Sequence, residues 1–300
     1  MHYWEYGSFM RILIFGAGGM LGHKLIQQLS PKFDTWGTIR GDYSSVERYN
    51  IFDKERIVES VDVENAESVE NAISRVHPNV VINAVGVIKQ LPTSNDVVKT
   101  LMTNAIFPHR VATLTGKYGF RLITVSTDCV FDGAKGGYTD GDVSNATDLY
   151  GKSKSLGEVN LENCLTIRTS IIGRELGTQH SLVEWILSNR GKQIKGFTNA
   201  IYSGFPTIIF ADIIANLIVN QTNLTGIYNV ASEPINKFDL VSLINKQYNA
   251  GIEVIPDGEL KIDRSLDATR FNQLTGFRPQ PWSEMIWKMA SDTTPYDNWK

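Results

Sequence analysis

Two side chains that together could protonate a reduced carbonyl, Tyr150 and Lys154, lie four residues apart. On a helix this spacing puts both on one face, one turn from each other. A ketone that accepts a hydride needs a proton for its new alkoxide, and tyrosine is a weak acid with a pKa of about 10. A neighbouring ammonium should stabilise the phenolate and lower that pKa. The pair predicts an acid–base site, and because the same spacing also arises by chance, the surrounding elements must support it.

Polar side chains follow an apolar, strand-like stretch at Ser126, Thr127 and Asp128. Ligands of parallel α/β sheets bind at the carboxyl ends of the strands. Thr127 is therefore the first candidate to hydrogen bond a substrate carbonyl and polarise it, and Ser126 is the second. The alternative is that these hydroxyls only cap the next turn, as Ser and Thr often do.

Three glycines at a spacing of three residues, Gly16, Gly19 and Gly22, come directly after a strand-like run and open an amphipathic stretch. Glycine permits the tight turn, lets a pyrophosphate approach the backbone and allows close packing of helix on strand. The helix N-terminus adds free N–H groups and a partial positive charge. Strand, turn and helix all match, which favours a dinucleotide site over a glycine-rich turn without a ligand.

Arg40 stands at the end of the second strand, where an acidic residue normally accepts the ribose hydroxyls of NAD. A guanidinium is a planar set of donors with a permanent charge, which suits a 2′-phosphate. The sequence therefore favours NADPH, with NADH as the alternative if Arg40 is a solvated loop residue near Asp42. Asp62, just past the third strand, is a candidate for the adenine edge or another solvated loop residue.

The elements that must position these residues alternate in type from Met10 onward, as in βαβ units whose parallel sheet is buried on both faces. Strands are expected over residues 11–15, 35–39, 57–61, 80–84, 121–126, 165–168 and 227–230. Helices are expected over residues 19–29, 65–76, 96–118 and 148–161. The predicted fold class is α/β, a Rossmann-like doubly wound parallel sheet.

After Gly173 the alternation breaks down, and from Ile235 a helix should be followed by irregular, Pro-containing sequence. These parts are expected to form a smaller substrate-binding lobe built from insertions and the C-terminus of one fold. The predicted division is a cofactor domain of residues 10–172 plus about 206–232, a lobe of about 173–205 and 233–300, and an unassigned extension of 1–9.

Composition excludes several function classes. The chain of 300 residues has a net charge of −3, with 29 basic and 32 acidic residues, so no large positive field would hold nucleic acid or an anionic membrane. No apolar run is long enough to cross a bilayer, and the first residues do not read as a signal peptide. Two isolated cysteines, Cys129 and Cys164, fit a reducing compartment, so a cytoplasmic protein is expected. No carboxylate cluster predicts a metal site.

Taken together, these residues resemble the extended short-chain dehydrogenase/reductases, and within them the dTDP-4-dehydrorhamnose reductase group. The likeness covers nearly the whole chain from Gly16 onward. It rests on the three glycines, Asn104, the run Ser126-Thr127-Asp128-Cys129-Val130-Phe131-Asp132-Gly133, Tyr150 and Lys154 with Glu158, Arg168 to Gly173, Ser203 to Thr207, Gly226 to Ser232, Arg264 to Asp267, and Pro281-Trp282.

The resemblance implies that Thr127, Tyr150 and Lys154 form a catalytic triad that reduces the C4 ketone of a nucleotide-linked 6-deoxy sugar with NADPH. The cofactor would contact Gly16, Gly19, Met20, Leu21, Gly22, Arg40, Asp62, Ala84, Ser126, Tyr150 and Lys154. The nucleotide-sugar would contact Thr127, Asp128, Cys129, Ser203 and Pro206.

One departure from the family pattern concerns Cys129, which stands where the reductase group usually has Tyr. Related dehydratases have Glu there, and a thiol cannot replace that carboxyl, which disfavours dehydration. Two other functions stay open: an epimerase or dehydratase with tightly bound NAD, and a non-catalytic NADP-binding subunit on the same fold. The expected partner is the nucleotide-sugar, and a homodimer is the oligomer considered.

Overall fold

A computed structural model gives the structure of residues 10–89 and 95–299. The predicted extension of residues 1–9 lies outside these described residues. The strands are β1 (Arg11–Phe15), β2 (Asp34–Thr38), β3 (Ile57–Val58), β4 (Val80–Asn83), β5 (Arg121–Thr127), β6 (Cys164–Thr169), β7 (Ile171–Ile172), β8 (Gln193–Phe197), β9 (Ala200–Tyr202), β10 (Phe205–Pro206), β11 (Gly226–Asn229), β12 (Ile235–Asn236), β13 (Glu253–Asp257) and β14 (Ile262–Asp263).

The central sheet has seven parallel strands in the order β11-β6-β5-β4-β1-β2-β3. Successive side chains of a strand point to opposite faces, and both faces of this sheet are covered. In β1, Ile12 and Ile14 pack into one apolar cluster, whereas Leu13 and Phe15 pack into the other. The predicted doubly wound parallel α/β sheet is confirmed.

The helices lie on both faces of this sheet and in the C-terminal part of the chain. They are α1 (Gly22–Leu29), α2 (Ser44–Glu47), α3 (Ala66–Val76), α4 (Val97–Leu101), α5 (Phe107–Thr113), α6 (Thr115–Tyr118), α7 (Leu149–Leu156), α8 (Leu182–Ser188), α9 (Thr207–Asn220), α10 (Lys237–Gln247), α11 (Thr269–Thr275) and α12 (Trp282–Ala290). None of the described helices is both long and apolar enough to cross a membrane.

The single helix predicted over 96–118 is wrong, because a π-helical turn (Met102–Ile106) separates α4 from α5 and a further break separates α5 from α6. Pro108 has no N–H, so the carbonyl of Asn104 four residues earlier receives no helical hydrogen bond from it. The wider turn accommodates this missing bond. At the second break the Thr115 hydroxyl donates to the Ala112 carbonyl, at 2.8 Å.

Three other predicted boundaries shift. The first helix begins at Gly22, not Gly19, because residues 16–21 form the turn itself. The helix expected to reach Leu161 ends at Leu156, since the Gly157 N–H turns back to the carbonyls of Ser153 and Lys154. The third strand keeps only two residues, Ile57–Val58, of the five expected.

The C-terminal part is more regular than its sequence predicts. Beyond α10 it contains two strands and two further helices, not irregular sequence. β13 pairs in parallel with β8, and β14 pairs with β9, so both strands are stabilised by partners from a distant part of the chain. The local sequence does not predict pairing between such distant segments. The division of the chain into two lobes stays a prediction.

Candidate active site

The glycine-rich turn after β1 is built for close approach to its backbone. Gly16 has φ +86°, a conformation that other residues rarely adopt. A methyl group at Gly22 would lie 1.9 Å from the Gly16 carbonyl oxygen, so α1 can begin here only without a side chain. The N–H groups of Met20 and Leu21 have no acceptor among the described residues. These features fit a dinucleotide pyrophosphate at the N-terminus of α1.

Ala84, the first residue after β4, borders this turn. Its N–H donates to the Phe15 carbonyl at 3.1 Å. A methyl group at Gly16 would lie 3.3 Å from the Ala84 carbonyl oxygen, so the two segments are nearly in contact. The structure therefore brings Ala84 to the glycine-rich turn.

Arg40 and Asp62 lie at the same end of the sheet. The Val61 N–H donates to the Ile39 carbonyl at 2.9 Å, which joins the segments that carry the two residues. Both side chains are exposed. Arg40 forms no hydrogen bond or ion pair within the described residues, whereas Asp62 accepts the Glu64 N–H at 3.0 Å. The guanidinium is therefore available to a ligand, and the Asp62 carboxylate is partly engaged by its own loop.

Helix α7 packs its first turn on the segment that follows β5. Asp148 caps the helix by accepting the Gly151 N–H at 3.0 Å. A methyl group at Gly151 would lie 2.2 Å from the Cys129 carbonyl oxygen, so only glycine allows this contact. As a result the Tyr150 hydroxyl lies close to the Thr127 side chain.

Lys154 lies one turn further along α7, buried, and its Nζ donates to the Val125 carbonyl of β5 at 2.8 Å. Burial lowers the pKa of Lys154 to about 8, against an opposing effect of Glu158. Burial also raises the pKa of Tyr150, and nearby Cys129 adds to this rise. The predicted lowering of the Tyr150 pKa by Lys154 is therefore wrong for this structure, because burial of the phenol dominates and the Lys154 ammonium is engaged by a backbone carbonyl. Tyr150 remains a protonated phenol at neutral pH and could donate its proton.

Ser126 points away from this pair, as expected for neighbouring residues of one strand. Its hydroxyl donates to Glu158 Oε1 at 2.8 Å. Glu158 in turn holds Arg168 in a buried ion pair, with Nη2 and Oε2 2.7 Å apart. The structure thus brings Thr127 to Tyr150 and places Ser126 in a buried polar network behind the sheet.

Asp128 and Cys129 form the turn next to Thr127. The Thr127 hydroxyl lies 3.1 Å from Asp128 Oδ1 and accepts the Cys129 N–H at 3.1 Å. Burial raises the pKa of the Cys129 thiol to about 11, so it is not a thiolate at neutral pH. No group of His, Cys, Asp and Glu side chains in residues 10–89 and 95–299 is arranged to hold a metal ion.

Ser203 and Pro206 are buried in the segment between β9 and α9, and Ser203 hydrogen bonds backbone groups of neighbouring segments. The Ser203 hydroxyl accepts the Leu266 N–H at 3.0 Å, and its carbonyl accepts the Ser232 N–H at 2.8 Å. Pro206 ends β10 and precedes α9. Neither residue forms a hydrogen bond with Tyr150 or Thr127, so their approach to a substrate stays a prediction.

Two residues that sequence reasoning missed, Tyr202 and Arg264, reach the site from the pair β9 and β14. Ile201 is in register with Asp263, so the next residue of each chain segment projects to the same face. Arg264 Nη1 lies 3.9 Å from Cys129 Sγ. The Tyr202 hydroxyl is buried and has no hydrogen-bond partner among the described residues. The only sequence signal was the family-like segment that begins at Arg264, since strand pairing over this distance leaves no local pattern.

Comparison with known proteins places the chain in a family. The family model described as RmlD substrate binding domain matches residues 10–294. The chain is 27% identical to a dTDP-4-dehydrorhamnose reductase of Aggregatibacter actinomycetemcomitans, over 92% of this chain and 97% of that protein. It is 26% identical to methionine adenosyltransferase 2 subunit beta of Danio rerio, over 81% of this chain and 76% of that protein.

The fold is shared with a crystal structure of dTDP-4-dehydrorhamnose reductase from Bacillus anthracis in complex with NADP. The two structures superpose with a TM-score of 0.77 at 24% sequence identity, over 95% of this chain and 99% of that chain. At this identity the likeness establishes the architecture, and the chemistry must be argued from the site.

Proposed function

Because the chain belongs to the RmlD substrate binding domain family, we propose that it is an NADPH-dependent reductase of the 4-keto group of a nucleotide-linked 6-deoxy sugar. The reaction would serve deoxysugar or polysaccharide biosynthesis, with a dTDP-linked sugar as the first substrate to test. The observation that carries the proposal is the approach of Tyr150 to Thr127 at the carboxyl end of β5, with Lys154 one turn further along α7.

In this mechanism NADPH, when bound, supplies a hydride to the carbonyl carbon of the sugar. Tyr150 gives its phenolic proton to the carbonyl oxygen, so that ketone, hydride and proton together make the alcohol. Thr127 donates a hydrogen bond to the same oxygen and polarises it. Lys154, which carries its charge below a pKa of about 8, would hold the nicotinamide ribose of the bound cofactor.

The same proposal assigns the cofactor to the glycine-rich turn. Free N–H groups at Met20 and Leu21 suit the pyrophosphate, and Gly16, Gly19 and Gly22 allow the turn to pack tightly against the start of α1. Arg40 would bind the 2′-phosphate, and Asp62 would approach the adenine edge. Ala84 would contact the cofactor beside the turn. Ser126 would support the cofactor site indirectly, through its hydrogen bond to Glu158.

For the nucleotide-sugar we propose contacts with Asp128 and Cys129 next to the reacting carbonyl, and with Ser203 and Pro206 further along the cleft. Arg264 is added to this set because its guanidinium has no ion-pair partner within the described residues and lies beside Cys129. An unpaired cation there suits the diphosphate of a nucleotide-sugar.

A non-catalytic binding subunit is the second candidate, because the relatives include methionine adenosyltransferase 2 subunit beta of Danio rerio. Such a subunit has no need for an acid–base pair, whereas Tyr150 and Thr127 lie close together here. An epimerase or dehydratase with tightly held NAD is disfavoured by Cys129, whose thiol cannot replace a carboxyl group. The absorbance spectrum of freshly purified protein would reveal a retained dinucleotide and would favour that alternative.

The experiment that tests the proposal is turnover of NADPH with a panel of 4-keto-6-deoxy nucleotide-sugars, the dTDP-linked compound first. Tyr150→Phe should lower kcat by about a hundredfold or more, because the proton donor is lost while the ring still packs. Its dissociation constant for NADPH should equal that of the unmutated protein. Normal turnover by Tyr150→Phe would refute the mechanism, and no turnover with any panel member would favour the binding subunit.

The compartment and the oligomeric state complete the proposal. Cys129 and Cys164 are free thiols, which suits a reducing compartment, so we place the reaction in the cytoplasm. A homodimer is included because Val98 and Leu156 expose apolar side chains on the neighbouring helices α4 and α7. Light scattering of the purified protein measures that oligomeric state directly.

A further inference from the structure

The last described residues, 292–299, form a C-terminal segment that lies against α1, the helix that follows the glycine-rich turn. Lys24 Nζ pairs with Asp292 Oδ2 at 2.5 Å, and both side chains are largely removed from solvent. Gln27 Nε2 donates to the Thr294 hydroxyl at 3.0 Å. These contacts hold the segment along α1. The segment is therefore close to the turn that we assign to the cofactor, although it is far from that turn in the sequence.

Within this segment, Tyr296 connects to the glycine-rich turn through His23. The Tyr296 hydroxyl lies 2.8 Å from His23 Nε2, and His23 Nδ1 lies 2.8 Å from the Gly19 carbonyl oxygen. His23 is completely buried, and Tyr296 is 2% exposed. The two hydrogen bonds connect Tyr296 of the C-terminal segment through His23 to Gly19, the third residue before α1.

The direction of both hydrogen bonds follows from the Gly19 carbonyl, which can only accept. Nδ1 must therefore carry the imidazole proton, and in the neutral ring Nε2 is then an acceptor. Tyr296 donates to it, since the other contact of that hydroxyl, with Asp292 Oδ2, is longer at 3.4 Å. Tyr296 thus fixes the tautomer of His23 that can hold Gly19.

Holding the Gly19 carbonyl has a consequence for the next N–H. In a trans peptide the C=O and the following N–H point in opposite directions. The Gly19 carbonyl points towards His23 and also accepts the His23 backbone N–H at 3.1 Å. The Met20 N–H therefore points away from α1, to the exposed side of the turn, where it has no partner within the described residues.

We propose that Tyr296 and His23 are positioning residues for the cofactor, which act by fixing the Gly19–Met20 peptide so that the Met20 N–H faces the pyrophosphate. This inference rests on the proposed function, namely on a dinucleotide bound at the glycine-rich turn. Neither residue touches the cofactor itself. The C-terminal segment is by this inference part of the cofactor site.

The test compares Tyr296→Phe with Gln27→Leu by calorimetric titration with NADPH. Tyr296→Phe removes one hydroxyl, leaves His23 Nε2 without its donor and should weaken NADPH binding about threefold to tenfold. Gln27→Leu removes a contact between α1 and the same segment without touching the chain to Gly19, so it should leave NADPH binding unchanged. In turnover, Tyr296→Phe should raise the KM for NADPH and leave kcat and the KM for the sugar unchanged.

His23→Leu gives a second route to the same answer, because it removes the bond to Gly19 directly. Tyr296→Phe should weaken NADPH binding no further when it is added to His23→Leu, since the two residues act through one chain. If Tyr296→Phe folds and binds NADPH like the unmutated protein, or if Gln27→Leu weakens binding equally, the inference is overturned while the proposed function stands. Failure of the unmutated protein to bind NADPH would overturn the proposed cofactor site itself.

Discussion

At the end of β2, Arg40 is exposed and unpaired within the described residues, so its interaction with a ligand would not compete with a protein partner. Arg40→Ala should raise the dissociation constant of NADPH about tenfold to hundredfold, as expected for the loss of a charged hydrogen bond to the 2′-phosphate. Binding of NADH, which lacks that phosphate, should not change. Arg48→Ala, a nearby exposed arginine, is the matched control and should bind both cofactors normally. Equal affinity of the unmutated protein for NADPH and NADH would contradict the assignment.

Lys154 gives a prediction for pH dependence. Because burial lowers its pKa to about 8, the ammonium is present below that pH and is lost as the pH rises through it. The value of kcat/KM for NADPH, which reports on the free enzyme, should therefore fall about tenfold between pH 7 and about pH 9.

Lys154→Arg supplies the control for that profile. Arginine keeps its proton throughout this range, so the alkaline fall should move to higher pH even if the variant is slower. A flat profile of the unmutated protein over the same interval would show that Lys154 is not required in its charged form.

The sequence predicts the types of the site residues better than their partners. Spacing alone places Tyr150 and Lys154 on one helical face, and strand alternation separates Thr127 from Ser126. It does not reveal that Lys154 donates to the Val125 carbonyl, because that contact depends on how α7 packs against β5. The effect of burial on the Tyr150 pKa is hidden for the same reason.

Among the elements, the π-helical turn between α4 and α5 has the most direct connection to the site. Its residue Asn104 accepts the Val87 N–H at 2.8 Å and donates to the Val87 carbonyl at 3.0 Å. The same amide group donates to the Ser153 hydroxyl at 3.1 Å. Ser153 lies on α7 between Tyr150 and Lys154, so the π-helical turn holds that helix against the loop after β4.

Asn104→Ala should therefore lower the free energy of unfolding by about 2–4 kcal/mol, because it leaves buried backbone groups of Val87 without partners. It should also lower kcat, since α7 loses a contact next to Tyr150. Urea titration and steady-state kinetics measure the two effects. Ile106→Ala, an exposed position of the same turn, should change stability by less than about 0.5 kcal/mol. Equal stability of Asn104→Ala and the unmutated protein would contradict this role.

The periodic pattern over residues 96–118 predicts a helix and gives no sign of this turn, apart from Pro108. A proline inside an apolar helical pattern is compatible with a kink, an end or a wider turn, and only the packing selects among them. In the structure Gly157 packs directly on this turn, since a methyl group there would lie 1.9 Å from the Asn104 carbonyl oxygen. The contact joins residues that are far apart in the sequence.

At the scale of the whole molecule, the sheet could be predicted and the C-terminal part could not. Each βαβ unit is a local pattern, since an apolar strand, a turn and an amphipathic helix follow one another. The pairs β8 with β13 and β9 with β14 join segments on either side of α9 and α10, and no local periodicity marks them. Tyr202 and Arg264 reach the site on these strands, which is why the sequence did not identify them.

Arg264 links the C-terminal part to the catalytic segment. Its Nε donates to the Phe131 carbonyl at 2.8 Å, and Nη1 lies near the Cys129 sulfur, at 3.9 Å. The hydrogen bonds of this guanidinium go to backbone carbonyls and the thiol, and no carboxylate forms a salt bridge with it within the described residues. A diphosphate that bound in the cleft would provide the missing negative charge.

Arg264→Gln should therefore raise the KM for the nucleotide-sugar about tenfold to hundredfold, the range expected for a charged hydrogen bond, and leave NADPH binding unchanged. Arg270→Gln is the matched control: it removes the same charge from the same tail, where the side chain packs on Tyr228 and not on Cys129. Its kinetic constants should be those of the unmutated protein. Competition by dTDP locates the effect, because a diphosphate contact predicts that dTDP inhibits Arg264→Gln more weakly. If the sugar KM rises while inhibition by dTDP is unchanged, Arg264 contacts the hexose instead, and the assignment to the diphosphate is wrong.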